Sequence, residues 1–204
     1  MNASADYYED HAHAFFADTV ALDLTPLHAR FLREVPAGGR ILDAGCGSGR
    51  DTRAFLARGY SVTACDASPA LARLASVHCG LPVLVRRFQE LAEPACFDGI
   101  WACASLLHVP FAELPEVLRR LAAALRPGGV LYASFKYGRG ERARGGRRFT
   151  DLDETGLAAL VRAAPYFTGL ETWITPDRRP DRPAGRWLNA LLRVRAPALV
   201  LRSA

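Results

Sequence analysis

The residues best suited to chemistry cluster in Ile41-Leu42-Asp43-Ala44-Gly45-Cys46-Gly47-Ser48-Gly49-Arg50-Asp51, where an apolar run ends in an acid and three glycines follow at alternate positions. Glycine tolerates positive φ and removes the Cβ atoms that would keep a ligand away from the backbone. The pattern predicts a strand that feeds a ligand-binding turn. A turn built for a dinucleotide places a small residue where this chain has Arg50, so that helix and strand can pack closely. Asp43 would repel a pyrophosphate but attract an ammonium group, directly or through water. A second acid, Asp66, ends the strand-like run Ser61-Val62-Thr63-Ala64-Cys65 and lies 17 residues after Gly49. A carboxylate at that place can accept hydrogen bonds from both hydroxyls of a ribose. Either acid alone also fits an ordinary helix cap or surface group; together around the glycine turn they point to a nucleoside that carries an ammonium and no phosphate.

S-adenosylmethionine (SAM) has those features, and the chain resembles the class I SAM-dependent methyltransferases. The resemblance runs from about Arg40 to Phe135. It covers the turn, Asp66, Phe88-Gln89-Glu90-Leu91, Phe97-Asp98-Gly99-Ile100-Trp101 through Leu107-His108, and Leu125-Arg126-Pro127-Gly128-Gly129-Val130-Leu131. Small stand-alone bacterial members, including the tellurite-resistance type, are the nearest in overall look. The resemblance implies that Gly45 and Gly47 face the methionine part of SAM, with Cys46 lining the site through its backbone. It further implies that Asp66 holds the ribose, that Ala67 lies by the adenine, and that Gln89 or Glu90 reaches the adenine amino edge. Phe88 either stacks on the ligand or plugs the core. Arg50 either pairs with the SAM carboxylate or lies on a solvated helix face, and Cys103, at the end of the fourth strand, is counted among the cofactor-binding residues. S-adenosylhomocysteine is then the product.

The elements that must position these residues alternate. Strand-like segments Arg40 to Ala44, Ser61 to Cys65, Val83 to Arg87, Phe97 to Cys103 and Gly129 to Phe135 are separated by helical ones near Arg50 to Ala57, Pro69 to His78 and Leu114 to Leu125. Such alternation means right-handed crossovers and a parallel sheet. Leu170 to Thr175 and Trp187 to Val194 add two late strands. The resemblance implies that the last is antiparallel and inserted. The expected fold is therefore α/β: a Rossmann-like, doubly wound, seven-stranded, mostly parallel sheet with helices on both faces. Residues Tyr7 to Val35, apolar at three-to-four-residue spacing and broken near Thr25-Pro26, form an N-terminal helical cap. Ser68-Pro69 caps one helix, Arg126-Pro127-Gly128-Gly129 stops another, and Thr150 with Asp153 reads as a capping-box-like start. One domain over 1–204 is expected, divided into a cap (1–37), a SAM-binding core (38–135) and substrate-side loops with the last strands (136–204).

Loops that follow parallel strands bear the ligands in such sheets. His108 follows the fourth strand and titrates near neutrality, so it is the candidate general base; the competing reading is a structural turn histidine bonded to backbone. Tyr7, Tyr8, His11 and His13 lie on the N-terminal segment, which in the family often closes over the cofactor. Tyr8 is counted among the cofactor-side residues, against simple amphipathic packing. Two arginine-rich loops, Lys136 to Arg148 and Pro176 to Arg186, should flank the donor pocket. With Lys136, Arg147 and Arg148 as acceptor-binding residues they would favour an anionic acceptor. The alternative is solvated, compositionally biased loops partly neutralised by Glu141, Asp177 and Asp181.

Bulk properties exclude more than they select. The chain has 204 residues, half of them hydrophobic, 23% charged, with a net charge of +5; of its 26 basic residues only Lys136 is a lysine. No leader and no membrane-spanning run is evident, which gives a cytoplasmic expectation. Five cysteines without a Cys-x-x-Cys pair suggest reduced thiols and no metal site. RNA is a weaker partner, since no stacking motif is evident and Ala104-Ser105-Leu106-Leu107 stands where nucleic-acid amino-methylating enzymes carry Asn/Asp-Pro-Pro-Tyr. The leading expectation is methyl transfer to a small acceptor by direct displacement, in a monomer or homodimer. A non-catalytic SAM-binding module, an RNA or protein methyltransferase and a nicotinamide oxidoreductase are the alternatives. The apolar tail Ala196 to Leu201 fits internal packing, a dimer contact or a mobile end.

Overall fold

Neighbouring residues of the central strands divide between two cores, which is what a sheet covered on both faces requires. Leu42, Ile100 and Leu131 join one buried cluster, and Ile41, Trp101 and Tyr132, each adjacent in sequence, join the other. The computed structural model describes residues 3–179 and 184–195; the tail Ala196 to Leu201, and Asp181 and Arg182 of the second arginine-rich loop, lie outside them.

Three helices, α1 (Ala3–Asp10), α2 (Ala12–Thr19) and α3 (Thr25–Leu32), precede β1 (Arg40–Ala44). Then follow α4 (Arg50–Leu56), β2 (Ser61–Asp66), α5 (Pro69–Cys79), β3 (Leu84–Val85), β4 (Phe97–Ala102), α6 (Leu114–Ala124) and β5 (Leu125–Lys136). The chain finishes with β6 (Gly140–Arg144), β7 (Arg147–Asp151), α7 (Glu154–Ala163), β8 (Phe167–Pro176) and β9 (Arg186–Val194). Seven strands form one sheet in the order β3-β2-β1-β4-β5-β9-β8. The pairs β1–β2, β1–β4, β2–β3 and β4–β5 are parallel, and β9 runs antiparallel between β5 and β8. The fold class, with its inserted antiparallel strand, is the one expected. Chain order reverses between β1 and β4, the place where such sheets open a crevice.

Local chemistry explains the elements. In α6, Leu114, Val117, Leu118, Leu121 and Ala122 recur at helical spacing and are buried, while Glu116 and Arg119 pair on the outer face. Ser68 Oγ accepts from Leu71 N (3.2 Å) at the start of α5, with Pro69 at the first helical position.

Four local expectations are corrected. The N-terminal segment breaks at His11 as well as at the expected place, where residues 20–24 precede Thr25-Pro26 at the start of α3, with Asp23 Oδ1 accepting from Thr25 N (2.9 Å). The third strand shrinks to two exposed residues, Leu84 and Val85. Asp153 alone caps α7 by accepting from Gly156 N (2.8 Å), whereas Thr150 lies in β7 and donates to Val109 O (2.8 Å). The first arginine-rich loop is a β6–β7 hairpin. Its backbone ladder needs no apolar period, since all five residues of β6 are exposed.

Candidate active site

The loops after β1 and β4 touch at Gly45. Its φ is +76°, and a Cβ built there would stand 2.5 Å from Ser105 Cβ, so only glycine lets the two loops close. Ser105 Oγ ties the contact by donating to Ala44 O (2.8 Å). At Gly47 a Cβ would meet the Phe15 ring of α2 at 3.0 Å, so the helical cap lies directly on the turn. Ala104, in the β4 loop, holds φ +52°, an uncommon conformation for a residue with a side chain.

A cavity of about 420 Å³ opens over the ends of β1 and β2, lined by Asp66, Ala67, Phe88, Gln89, Gly45 and Gly47 among others. Asp66 Oδ2 accepts from Gly47 N and Oδ1 from Ser68 N, both at 2.9 Å. Burial pushes its carboxyl above the ordinary range despite these bonds. Helix α1 closes this side. Glu9 Oε2 accepts from Ala70 N (2.8 Å) and Ser68 Oγ (2.7 Å), and Ser4 Oγ accepts from Arg148 N (3.0 Å).

A second cavity, of about 300 Å³, extends toward β5, β8 and β9. Tyr8, Phe15, Gly45, Gly47, Ala104 and His108 line both cavities and therefore mark where they meet. At this junction Tyr8 Oη lies 2.8 Å from His108 Nε2, and His108 Nδ1 lies 2.7 Å from the Arg148 carbonyl. A carbonyl only accepts, so Nδ1 carries the proton and Nε2 accepts from the tyrosine. Burial, reinforced by the charge of Arg147, pushes the imidazole down to about 4, so it is neutral at physiological pH.

Behind the turn lies a buried network. Asp51 accepts from His28 Nε2 (2.9 Å), Trp101 Nε1 (2.9 Å) and both Nε (2.8 Å) and Nη2 (2.7 Å) of Arg50. Burial alone would raise the Asp51 carboxyl, but Arg50 and His28 hold it well below the usual range. Asp43, 2% exposed, has the Thr52 hydroxyl at 2.6 Å. Burial, then the charge of Asp51, push it up to about 8.

The far wall is aromatic and cationic. Lys136 Nζ and Arg179 Nη2 share Asp177 (2.6 and 2.7 Å), and the ammonium sits 3.8 Å from the Trp187 ring centroid. Arg147 lies over Tyr7 at 4.3 Å, and its buried Nε has no hydrogen-bond partner among the described residues.

Of the residues singled out in the sequence, Tyr8, Gly45, Gly47, Asp66, Ala67, Phe88, Gln89 and Arg148 line the first cavity. Cys46, Arg50, Cys103, Lys136 and Arg147 line the second, and His108 lines both. Arg50 is bonded to Asp51 and the Thr19 carbonyl, in place of a solvated helix face. Asp43 and Glu90 line neither. Glu90 is an exposed cap, accepting from Arg87 N (2.9 Å) and pairing with that residue's guanidinium. Sequence reasoning did not single out His28, Asp51, Ser105 or Phe15. Asp51 carried one available signal, an acid directly after Arg50 at the start of a helix.

A family model described as a methyltransferase domain matches residues 41–129. A ubiquinone biosynthesis O-methyltransferase of Xanthomonas axonopodis pv. citri is 36% identical over 120 residues, 54% of this chain and 49% of that protein. The chain thus spans about half the length of the curated relatives it matches. The crystal structure of Burkholderia thailandensis 1,6-didemethyltoxoflavin N1-methyltransferase, with bound 1,6-didemethyltoxoflavin and S-adenosylhomocysteine, is similar with a TM-score of 0.75 and 30% identity. That similarity covers 93% of this chain and 84% of the other. The N-methyltransferase NodS from Bradyrhizobium japonicum, in complex with S-adenosylhomocysteine, shares the fold (TM-score 0.70, 18% identity, 95% of this chain and 99% of that one).

Proposed function

This chain belongs to the class I SAM-dependent methyltransferases, and from that premise we propose that it methylates a small acceptor, with an anionic preference, held in the second cavity. The observation that carries the reading is the meeting of two cavities at a shared wall of Tyr8, Phe15, Gly45, Gly47, Ala104 and His108. One chamber suits the donor and the other the acceptor, and displacement needs the two reacting atoms aligned where they meet.

The residues present fit the donor. Gly45 and Gly47 line the first cavity with bare backbone, a cradle against which the methionine part can lie. Asp66 retains lone pairs for the ribose hydroxyls beyond those used by Gly47 N and Ser68 N. Phe88 and Gln89 flank the adenine end. Asp43 acts from behind the turn through Thr52 without touching the ligand. When bound, the donor supplies an activated sulfonium methyl that leaves with a neutral thioether.

The chain's own residues then orient and shield. Phe15 on Gly47, and the bonds of Ser4, Tyr8 and Glu9, lay the helical cap over the junction and exclude water. A chamber of about 300 Å³ beneath that cap favours a small molecule over a polymer. Its lining of Trp173, Trp187 and Phe149, with Lys136, Arg147 and Arg179, supports a planar acceptor with negative charge. The similar Burkholderia thailandensis enzyme likewise holds a small molecule, 1,6-didemethyltoxoflavin, together with S-adenosylhomocysteine.

Calorimetric titration with SAM, S-adenosylhomocysteine and NAD tests the premise of the site. Saturable binding of the first two, weakened at least about tenfold by Asp66→Ala, is expected. NAD binding without SAM binding would refute the assignment of the first cavity.

A further inference from the structure

The cations of the acceptor chamber differ in how they are compensated. Arg30 pairs with Glu171, Arg50 with Asp51, and Lys136 and Arg179 with Asp177. Arg178 is exposed at the rim. Arg147 is half-buried, stands over the rings of Tyr7 (4.3 Å), Phe149 (5.3 Å) and Tyr8 (5.8 Å), and forms no ion pair among the described residues. Tyr8 and Phe149 both contact the His108 ring, so this charge stands beside the junction of the two cavities.

From this placement, and on the methyl-transfer reading above, we propose that Arg147 is a catalytic cation. It binds a planar, weakly acidic acceptor (a phenol, an enol or an acidic ring N–H) as the anion that attacks the methyl carbon. The imidazole that lines the junction, His108, is poorly placed to take the proton instead. Its Nδ1–H is committed to the Arg148 carbonyl, its Nε2 to the Tyr8 hydroxyl, and burial with the charge of Arg147 disfavours an imidazolium. The groups facing Arg147 are Tyr7 and Tyr8 from α1, with Tyr8 also hydrogen-bonded to it, and Phe149 from its own strand, all uncharged; the Asp66 carboxylate acts on the same Tyr8. An opposite charge within about 4–6 Å lowers the pKa of an acid by about one to three units. The acceptor therefore loses its proton to solvent on binding. Its lone pair then forms the new bond to the methyl carbon while the carbon–sulfur bond breaks and leaves its pair on sulfur, so anion and sulfonium both end neutral.

The test is optical and needs no turnover. 4-Nitrophenol, whose anion is coloured, is titrated into the protein saturated with S-adenosylhomocysteine, at about one pH unit below the probe's solution pKa. Binding should bring out the phenolate colour, with the bound pKa lowered by about one unit or more, a tenfold gain in the anion-to-phenol ratio. Arg147→Met should abolish that gain, Arg147→Lys should keep most of it, and His108→Gln should leave it in place. The lysine variant, together with retained S-adenosylhomocysteine affinity, separates loss of charge from loss of fold. A probe bound as neutral phenol, an anion unaffected by Arg147→Met, or an anion lost in His108→Gln alone overturns the proposal. Failure of the probe to bind while S-adenosylhomocysteine binds overturns the acceptor class alone; failure of both takes down the donor-site reading with it.

Discussion

Replacing Asp43 with asparagine changes the pH dependence of stability in a direction and size that follow from its surroundings. Burial and the neighbouring Asp51 raise the carboxyl from 3.8 to about 8. The folded chain keeps a proton that the unfolded chain sheds above about pH 4. Stability from that proton is complete below the unfolded pKa and is lost as pH rises toward the folded one. One proton bound in the folded state and none in the unfolded state gives a slope of about −1.4 kcal/mol per pH unit. Between about pH 5 and pH 7 the parent therefore loses about 3 kcal/mol from this group. His108 works in the opposite sense. Its pKa is depressed to about 4, so its contribution is present above the ordinary value of 6.5 and is lost as pH falls. The two slopes nearly cancel in the parent below 6.5, which makes its own pH profile uninformative. The asparagine variant has no proton to lose at this position, so the difference between variant and parent isolates Asp43. Urea denaturation at about pH 5, 6 and 7 should show variant-minus-parent stability rising by about 2–3 kcal/mol across the window. The depressed Asp51 and Asp177 titrate below that window and do not interfere. A flat or falling difference would refute the claim that Asp43 is buried as a carboxylic acid.

Two further outcomes follow from the cap and the turn. Gly45→Ala places a Cβ 2.5 Å from Ser105 Cβ at φ +76°, so the β1 and β4 loops must separate; S-adenosylhomocysteine affinity should fall at least about tenfold by calorimetry, and a change under about twofold would contradict the cradle. Glu9→Ala removes the acceptor of Ala70 N and Ser68 Oγ, a cap worth about 1 kcal/mol; amide exchange over 3–10 should speed about fivefold, and unchanged exchange there would show that α1 is held by other contacts.

The parts of the fold that were legible are those in which side chains announce the backbone. Arg40 to Ala44 coincides with β1 because consecutive apolar residues must be buried on both faces. The start of α5 was readable because Ser68 and Pro69 each satisfy a local requirement of a helix end. The β6–β7 hairpin was hidden for the opposite reason. Glu141, Arg142, Ala143 and Arg144 are all exposed, their pairing is backbone to backbone, and arginine-rich composition carries no alternation to betray a strand. The break between α1 and α2 was hidden because apolar residues continue at helical spacing through it, whereas Thr25-Pro26 announced the one before α3.

The site divides along the same physical line. A turn that must bring its backbone against a ligand needs glycine, and a strand end that must hold a diol needs an acid, so Gly45, Gly47 and Asp66 stand out in the chain itself. Asp51 does not, because its meaning lies in partners 23 and 50 residues away, His28 and Trp101, that only the folded sheet brings to it. The arginines show the limit most clearly. Lys136 and Arg147 are equivalent as sequence, yet Asp177 compensates the first, and the second faces aromatic rings without an acid among the described residues. Field strength at the junction depends on that difference and not on the number of basic residues, since a cation already paired with a carboxylate offers little to an incoming anion. Counting arginines thus suggested an anionic acceptor for a reason too coarse to say which one acts. The pairing pattern narrows it to Arg147, and makes its replacement, ahead of any other cation of the wall, the substitution to which the chamber's charge preference should answer.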